Sequence, residues 1–139
     1  MKLFFTFFLV FSCLLKAGAQ NPLNSYDSAS ATIFIDLDGH TVAGTNWNTN
    51  GPIYCGPSGL GPAQVTEIFN RVAEDYRPFN INITTDSTKY WAAPASKRMR
   101  VIVTVTSDWY GPVGGTAMVG TFTSGDNTPC FVFSERLGY

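Results

Sequence analysis

Apolar side chains recur at helical spacing between residues 65 and 76. Val65, Ile68, Phe69, Val72, Ala73 and Tyr76 form a single stripe, with polar residues around the rest of the cylinder. Pro62 suits a first helical position, where its missing N–H would have no partner anyway. Pro78 disfavours helix at the preceding Arg77. The pattern predicts a helix over 62–77, about 24 Å long at the usual rise. Directly afterwards the period changes to two. Phe79, Ile81 and Ile83 alternate with Asn80, Asn82 and Thr84, which predicts a half-buried strand over 79–85.

Four further strands are expected. Residues 31–37, ATIFIDL, carry three consecutive apolar side chains, as a central strand covered on both faces does. Residues 100–106, RVIVTVT, are β-branched through the middle. Residues 116–122, TAMVGTF, read as a strand whose Gly120 marks an edge or a bulge. Residues 130–133, CFVF, read as fully buried. The order β-α-β-β-β-β predicts an α/β (α+β) fold, a mixed and mostly parallel five-stranded sheet with one long helix. A parallel crossover through that helix would be right-handed. One helix covers one face of such a sheet only in part.

The segments between are turn-rich. Residues 40–61 form a long Gly-, Asn-, Thr- and Pro-rich loop with room for a hairpin, anchored by Trp47 and Tyr54. Residues 86–98 read as a connection containing Tyr90, Trp91 and Pro94. Ser124, Gly125, Asp126 and Asn127 supply turn chemistry.

Composition narrows the picture. At 139 residues, with 45% hydrophobic and 14% charged, the chain has the length and make-up of one globular domain. Residues 1–19 read as a signal peptide: Lys2, an apolar run from Leu3 to Leu15, and a small-residue cleavage site ending at Ala19. The run is short for a bilayer span. The expected division is signal peptide 1–19, flexible lead-in 20–30 and folded domain 31–139, in a secreted or periplasmic protein with no membrane span after cleavage. Cleavage would remove Lys2 and Lys16, leaving seven basic residues against ten acidic, a charge of −3. That balance provides neither a basic nucleic-acid footprint nor a polybasic membrane patch. Cys13 would leave too. Cys55 and Cys130 are then candidates for a disulfide in an exported chain, worth up to ~4 kcal/mol, with two separate buried thiols as the alternative.

Candidate chemistry gathers at Asp36, Asp38 and His40, in IFIDLDGHTV. An apolar strand followed by Asp-x-Asp-Gly resembles the first motif of haloacid-dehalogenase-type phosphatases. That resemblance implies Asp36 as nucleophile and Asp38 as acid/base in a magnesium-dependent reaction. His40 stands where that family has threonine or valine, and its later Lys and paired acidic motif have no counterpart. The competing reading is a strand-end turn whose carboxylates cap backbone amides. His40 is the only histidine, and no candidate nucleophile has a triad motif around it.

A second resemblance spans nearly all of 31–139. IFIDLDGHTVAGTNWN, VAEDYRPFNINITTD, RVIVTVTSDWYGPVGGTAMVGTF and PCFVFSERLGY look like the N-terminal half of a secreted bacterial zinc metallopeptidase of the metzincin type, most specifically at 72–86. The resemblance implies a β-α-β-β-β-β upper subdomain followed by a zinc-binding helix. It also implies that Thr116, Ala117, Met118, Val119, Gly120 and Thr121 form an edge strand beside which an extended peptide or protein substrate lies. The family's H-E-x-x-H-x-x-G-x-x-H motif, with two histidines on one helical face and Glu as general base, does not occur in this chain. The expectation is therefore a partial catalytic domain without zinc ligands or catalytic residues of its own, zinc belonging to a full-length parent. A secreted non-catalytic binding module is the alternative.

Overall fold

The computed structural model describes residues 21–138; the signal-peptide reading and Cys13 lie outside them. The elements are β1 (Ala31–Asp36), β2 (His40–Val42), β3 (Ile53–Cys55), α1 (Pro62–Asp75), β4 (Ile81–Thr84), α2 (Ser87–Ala92), β5 (Arg98–Thr104), β6 (Gly115–Thr116), α3 (Thr121–Ser124) and β7 (Cys130–Phe133). Five strands form one sheet in the order β4-β1-β5-β7-β6, and β2 pairs with β3 as a separate hairpin. Four of the five run parallel, and the edge strand β6 is antiparallel to β7. The fold is the expected mixed, mostly parallel α+β sheet.

Side chains alternate across the sheet with period two, which makes two cores. Ile33, Ile35, Ile83, Met99 and Val103 point to one face, where Phe69 of α1 packs among them. Ile102, Phe131 and Phe133 point to the other, where Val42 and Cys55 of the hairpin close over them. Trp47 reaches this second core and its Nε1–H donates to Pro129 O at 2.8 Å. The parity also decides the cysteines. Cys130 packs on the α1 face, 3.7 Å from Met99 Sδ, while Cys55 lies in the hairpin core. The sheet separates them, both thiols are free, and the expected Cys55–Cys130 disulfide is not formed.

α1 begins as its sequence dictates. Gly61 C=O accepts from Val65 N–H, and the Gln64 side chain turns back to accept from Gly61 N–H at 2.9 Å. It ends at Asp75, two residues short of the expected 77, with Tyr76 as its cap and Pro78 beyond. The lead-in is tied down, not loose. Leu23 and Thr85 exchange hydrogen bonds, Ser25 N–H donates to Ile83 O, and Asn24 bridges Thr84, so this strap covers the outer edge of β4. Residues 86–98 contain α2, whose Asp86 accepts from Thr88 N–H as an N-cap.

The strand expected over 116–122 is largely absent. Only Gly115 and Thr116 pair with β7. Ala117, Met118, Val119 and Gly120 form a turn in which Val119 is 105% exposed, and Thr121 opens the short helix α3. Gly120 has φ +85°, a left-handed conformation that breaks the extended run, and Thr121 Oγ1 donates back to Met118 O. Gly115 is required for a different reason: a Cβ there would sit 2.6 Å from Phe131 O. No helix among the described residues is long and apolar enough to cross a membrane.

Candidate functional site

The polar cluster is built where β1 ends. Asp36 is the last residue of β1, and the chain then reverses through Leu37, Asp38 and Gly39 to start β2 at His40. Gly39 has φ +97°, and a Cβ on it would stand 3.1 Å from Cys55 O. The close return lets His40 lie back over Asp36. Arg100, on the neighbouring strand opposite Phe34, completes the group. Its guanidinium lies against the rings of Phe34 and Tyr90, at 5.3 and 5.0 Å from their centroids.

These side chains leave little slack. Asp36 is 2% exposed and Arg100 8%. Arg100 Nη1–H donates to Asp36 Oδ2 at 2.7 Å, and the same nitrogen stands 2.6 Å from His40 Nδ1. A guanidinium has only donors, so the imidazole nitrogen facing it must carry a lone pair. Arg100 Nη1 also stands 3.3 Å from His40 Nε2, so the guanidinium lies beside both ring nitrogens and either can accept from it. Asp36 Oδ1 is buried and receives no hydrogen bond. Burial first, and then the Asp38 carboxyl, with which only a protonated Asp36 can hydrogen-bond, push Asp36 up to about 7 against the pull of Arg100. Burial first, then the Arg100 charge, lower the His40 imidazole, with Asp38 opposing.

Asp36, Asp38 and His40 thus come together, in a crevice of about 570 Å³ whose walls also include Ser58, Thr85 and Arg100. It lies beyond the carboxyl ends of the parallel strands β1 and β4, where α/β sheets generally place their ligands. Its chemistry is nevertheless that of an ion-pair lock. Asp36 has one oxygen committed to Arg100 and the other sealed from solvent, so the carboxylate that the phosphatase resemblance makes the nucleophile is not open to an incoming phosphate, and of the two carboxylates only Asp38 is exposed in the crevice. Zinc does not fit this chain's residues either. The one histidine lies against the buried Arg100 guanidinium, and no group of three or more His, Cys, Asp or Glu among the described residues is placed to hold a metal.

The second feature is apolar. Five strands at the usual ~4.8 Å spacing span about 19 Å, and a helix with its side chains covers ~10 Å. α1 packs over the β4–β1 half, through Phe69 against Ile33 and Ile83. The β5–β7 half is left as a groove of about 630 Å³, walled by Ile68 and Val72 of α1 and floored by Val101, Val103 and Val132. Of the residues expected along an edge strand, Met118, Gly120 and Thr121 line this groove, Thr116 lies in the edge strand, and Ala117 and Val119 are in the turn between.

Arg100 was not singled out from sequence, although it organises the cluster. Its signal is a charged side chain at the head of the segment 100–106, otherwise patterned for burial, where charges occur paired. Comparison with protein-family models, with curated proteins and with solved structures finds no match.

Proposed function

We propose that this chain is the sheet-bearing N-terminal portion of a secreted, zinc-dependent metalloendopeptidase of the metzincin type. The observation that carries the reading is the uncovered half of the sheet beside α1. A groove one helix wide, apolar along its floor and bordered by an antiparallel edge strand, suits a second helix laid next to α1. The metzincin resemblance supplies an occupant, the zinc-binding helix, which would bring both the zinc ligands and the general base. This chain contributes the floor on which that helix rests. It also contributes the free main-chain edge of β6 and the turn after it, which suit an extended peptide because strand pairing is tolerant of sequence. Asp36, Arg100 and His40 act as structure, fixing the reversal after β1.

The test is a hydrophobic dye titration of the chain by itself. An open groove binds anilinonaphthalene sulfonate, and Val132→Asp on its floor abolishes the signal while the far-ultraviolet spectrum is kept. A dye-silent, monodisperse, cooperatively melting wild-type chain would contradict the reading and favour a self-sufficient binding module. The chain alone should also hold no stoichiometric zinc and leave casein uncut, and tight zinc at one per chain would count equally against the proposal.

A further inference from the structure

Large aromatic side chains in contact with water need no explanation when scattered, but three of them ring one hollow on the flank of α1 away from the groove. Tyr26, Tyr76 and Phe79 are 50%, 37% and 57% exposed, and all three line a hollow of about 580 Å³, within the range of small-molecule sites. Two segments bring them together, and hydrogen bonds hold each one. Buried Asn82 accepts through Oδ1 from Ser25 N–H at 3.2 Å and from Tyr26 N–H at 3.0 Å, which fixes the strap where Tyr26 leaves it. Beyond α1, Phe79 N–H donates to Tyr76 O at 2.9 Å and Arg77 N–H to Glu74 O at 3.1 Å, closing the turn around Pro78. That turn sets the Tyr76 and Phe79 rings 6.1 Å apart, tilted by 58°. Asn80 ties the two segments a second time, through Ser30. The hollow is formed before any ligand arrives.

Its polar wall is unused. The side chains of Asn70, Glu74 and Arg77 line the same hollow and make no hydrogen bond or ion pair among the described residues. We propose that this hollow is a saccharide-binding site, in which the three aromatic rings take the C–H face of a pyranose and Asn70, Glu74 and Arg77 bond its hydroxyls. A carboxylate only accepts, a guanidinium only donates and an amide does both, so ligand groups that both donate and accept fit all three. Sugar hydroxyls do that, while the weakly positive C–H bonds of the sugar ring suit the negative faces of the aromatics. A cation would meet Arg77, an anion would meet Glu74, and a purely apolar ligand would strip water from both. An extended peptide also carries donors and acceptors, but the strap already covers the edge of β4 and leaves it no ladder to join. The site does not depend on what fills the groove. Ile68 and Val72 wall the groove, Asn70, Ala73 and Glu74 wall the hollow, and α1 stands between them, with Tyr76 and Ile81 bordering both.

Amide nuclear magnetic resonance of the full chain, titrated with a panel of di- and trisaccharides of glucose, galactose, mannose and N-acetylglucosamine, reads the site directly. At least one sugar should shift the amides of Tyr26, Glu74, Arg77 and Phe79 along a saturating curve while those of Val101 and Val132, on the groove floor, stay in place. Tyr26→Ala and Phe79→Ala should each weaken that binding about tenfold with the far-ultraviolet spectrum kept, since neither ring belongs to a core. Choline and trialanine, as a cation and a peptide, should give no saturable shift. The absence of saturable shifts with every sugar, sugar shifts centred on the groove floor, or saturation of the same amides by choline or trialanine would each overturn the proposal. The wild-type titrations decide the matter even if a variant fails to fold. Dye binding in the groove is read separately, so failure of the saccharide site leaves the metallopeptidase reading standing, and the reverse.

Discussion

Asp36→Asn perturbs the polar cluster without changing its volume, and its outcome can be worked in advance. In the native chain Oδ2 accepts from Arg100 while Oδ1 is buried without a donor. An asparagine placed the same way keeps the acceptor for Arg100 and brings an amide N–H to the orphan position beside Asp38. Asp36 holds its proton up to about 7 in the folded chain against an ordinary 3.8. Below 3.8 both folded and unfolded chains carry that proton, and the group's contribution to stability is fully present. As pH rises toward 7 only the unfolded chain releases it, so stability is lost across that window. At about 1.4 kcal/mol per unit, roughly three units set a ceiling of about 4 kcal/mol. Asparagine does not titrate and escapes this loss, and His40 titrates in both proteins. Urea unfolding followed by tryptophan fluorescence should find the two proteins within about 1 kcal/mol near pH 4.5 and the variant more stable by roughly 2–4 kcal/mol near pH 7.5, with an unchanged dependence on denaturant. A variant less stable than wild type at the higher pH would refute the reasoning, because the ionised Asp36–Arg100 pair would then be a net source of stability.

Three other changes probe the rest of the fold. Phe131 is 2% exposed and stacks among Trp47, Trp109 and Phe133, so Phe131→Ala should cost about 3–5 kcal/mol in the same unfolding assay; a loss below about 1 kcal/mol would mean this core is not packed as described. Gly115→Ala drives a Cβ into Phe131 O, and exchange protection at the β6–β7 pairing should drop by at least tenfold, about 1.4 kcal/mol, while β1 amides are unaffected. Alkylation under denaturing, non-reducing conditions should modify both Cys55 and Cys130, since the sheet lies between them; recovery of a linked peptide pair would contradict the two-faced core.

The parts of the fold that follow from sequence are those where one period runs long enough to be unambiguous. The stripe from Val65 to Val72 specifies α1, and the runs at Ile33–Ile35, Arg100–Thr104 and Phe131–Phe133 specify buried strands, because each must hide its apolar face in one way only. The turn after β6 departs from the expected strand for a physical reason. Thr116, Met118, Val119 and Phe122 have strand-like propensity, but one glycine at φ +85° overrides the series and no partner strand lies beside it. α2 carries only an N-cap signal, Asp86 before Ser87 and Thr88, because six residues are too few for a periodic stripe. In the polar cluster, Asp36, Asp38 and His40 are close in sequence and were visible together. Arg100 comes from a strand 64 residues away from Asp36, and only the parallel pairing of β1 with β5 brings it there. The same parity that each strand displays decides the cysteines once the strands are assembled, and it decides them against a disulfide.

We propose above that the open half of the sheet seats a zinc-binding helix. The measurement that tests it most directly is the coding sequence downstream of Tyr139. Such a helix requires an in-frame H-E-x-x-H-x-x-G-x-x-H segment shortly after β7, amphipathic and with an apolar face to lie against Val101 and Val132. An immediate stop codon, together with a stable and dye-silent product, would contradict it.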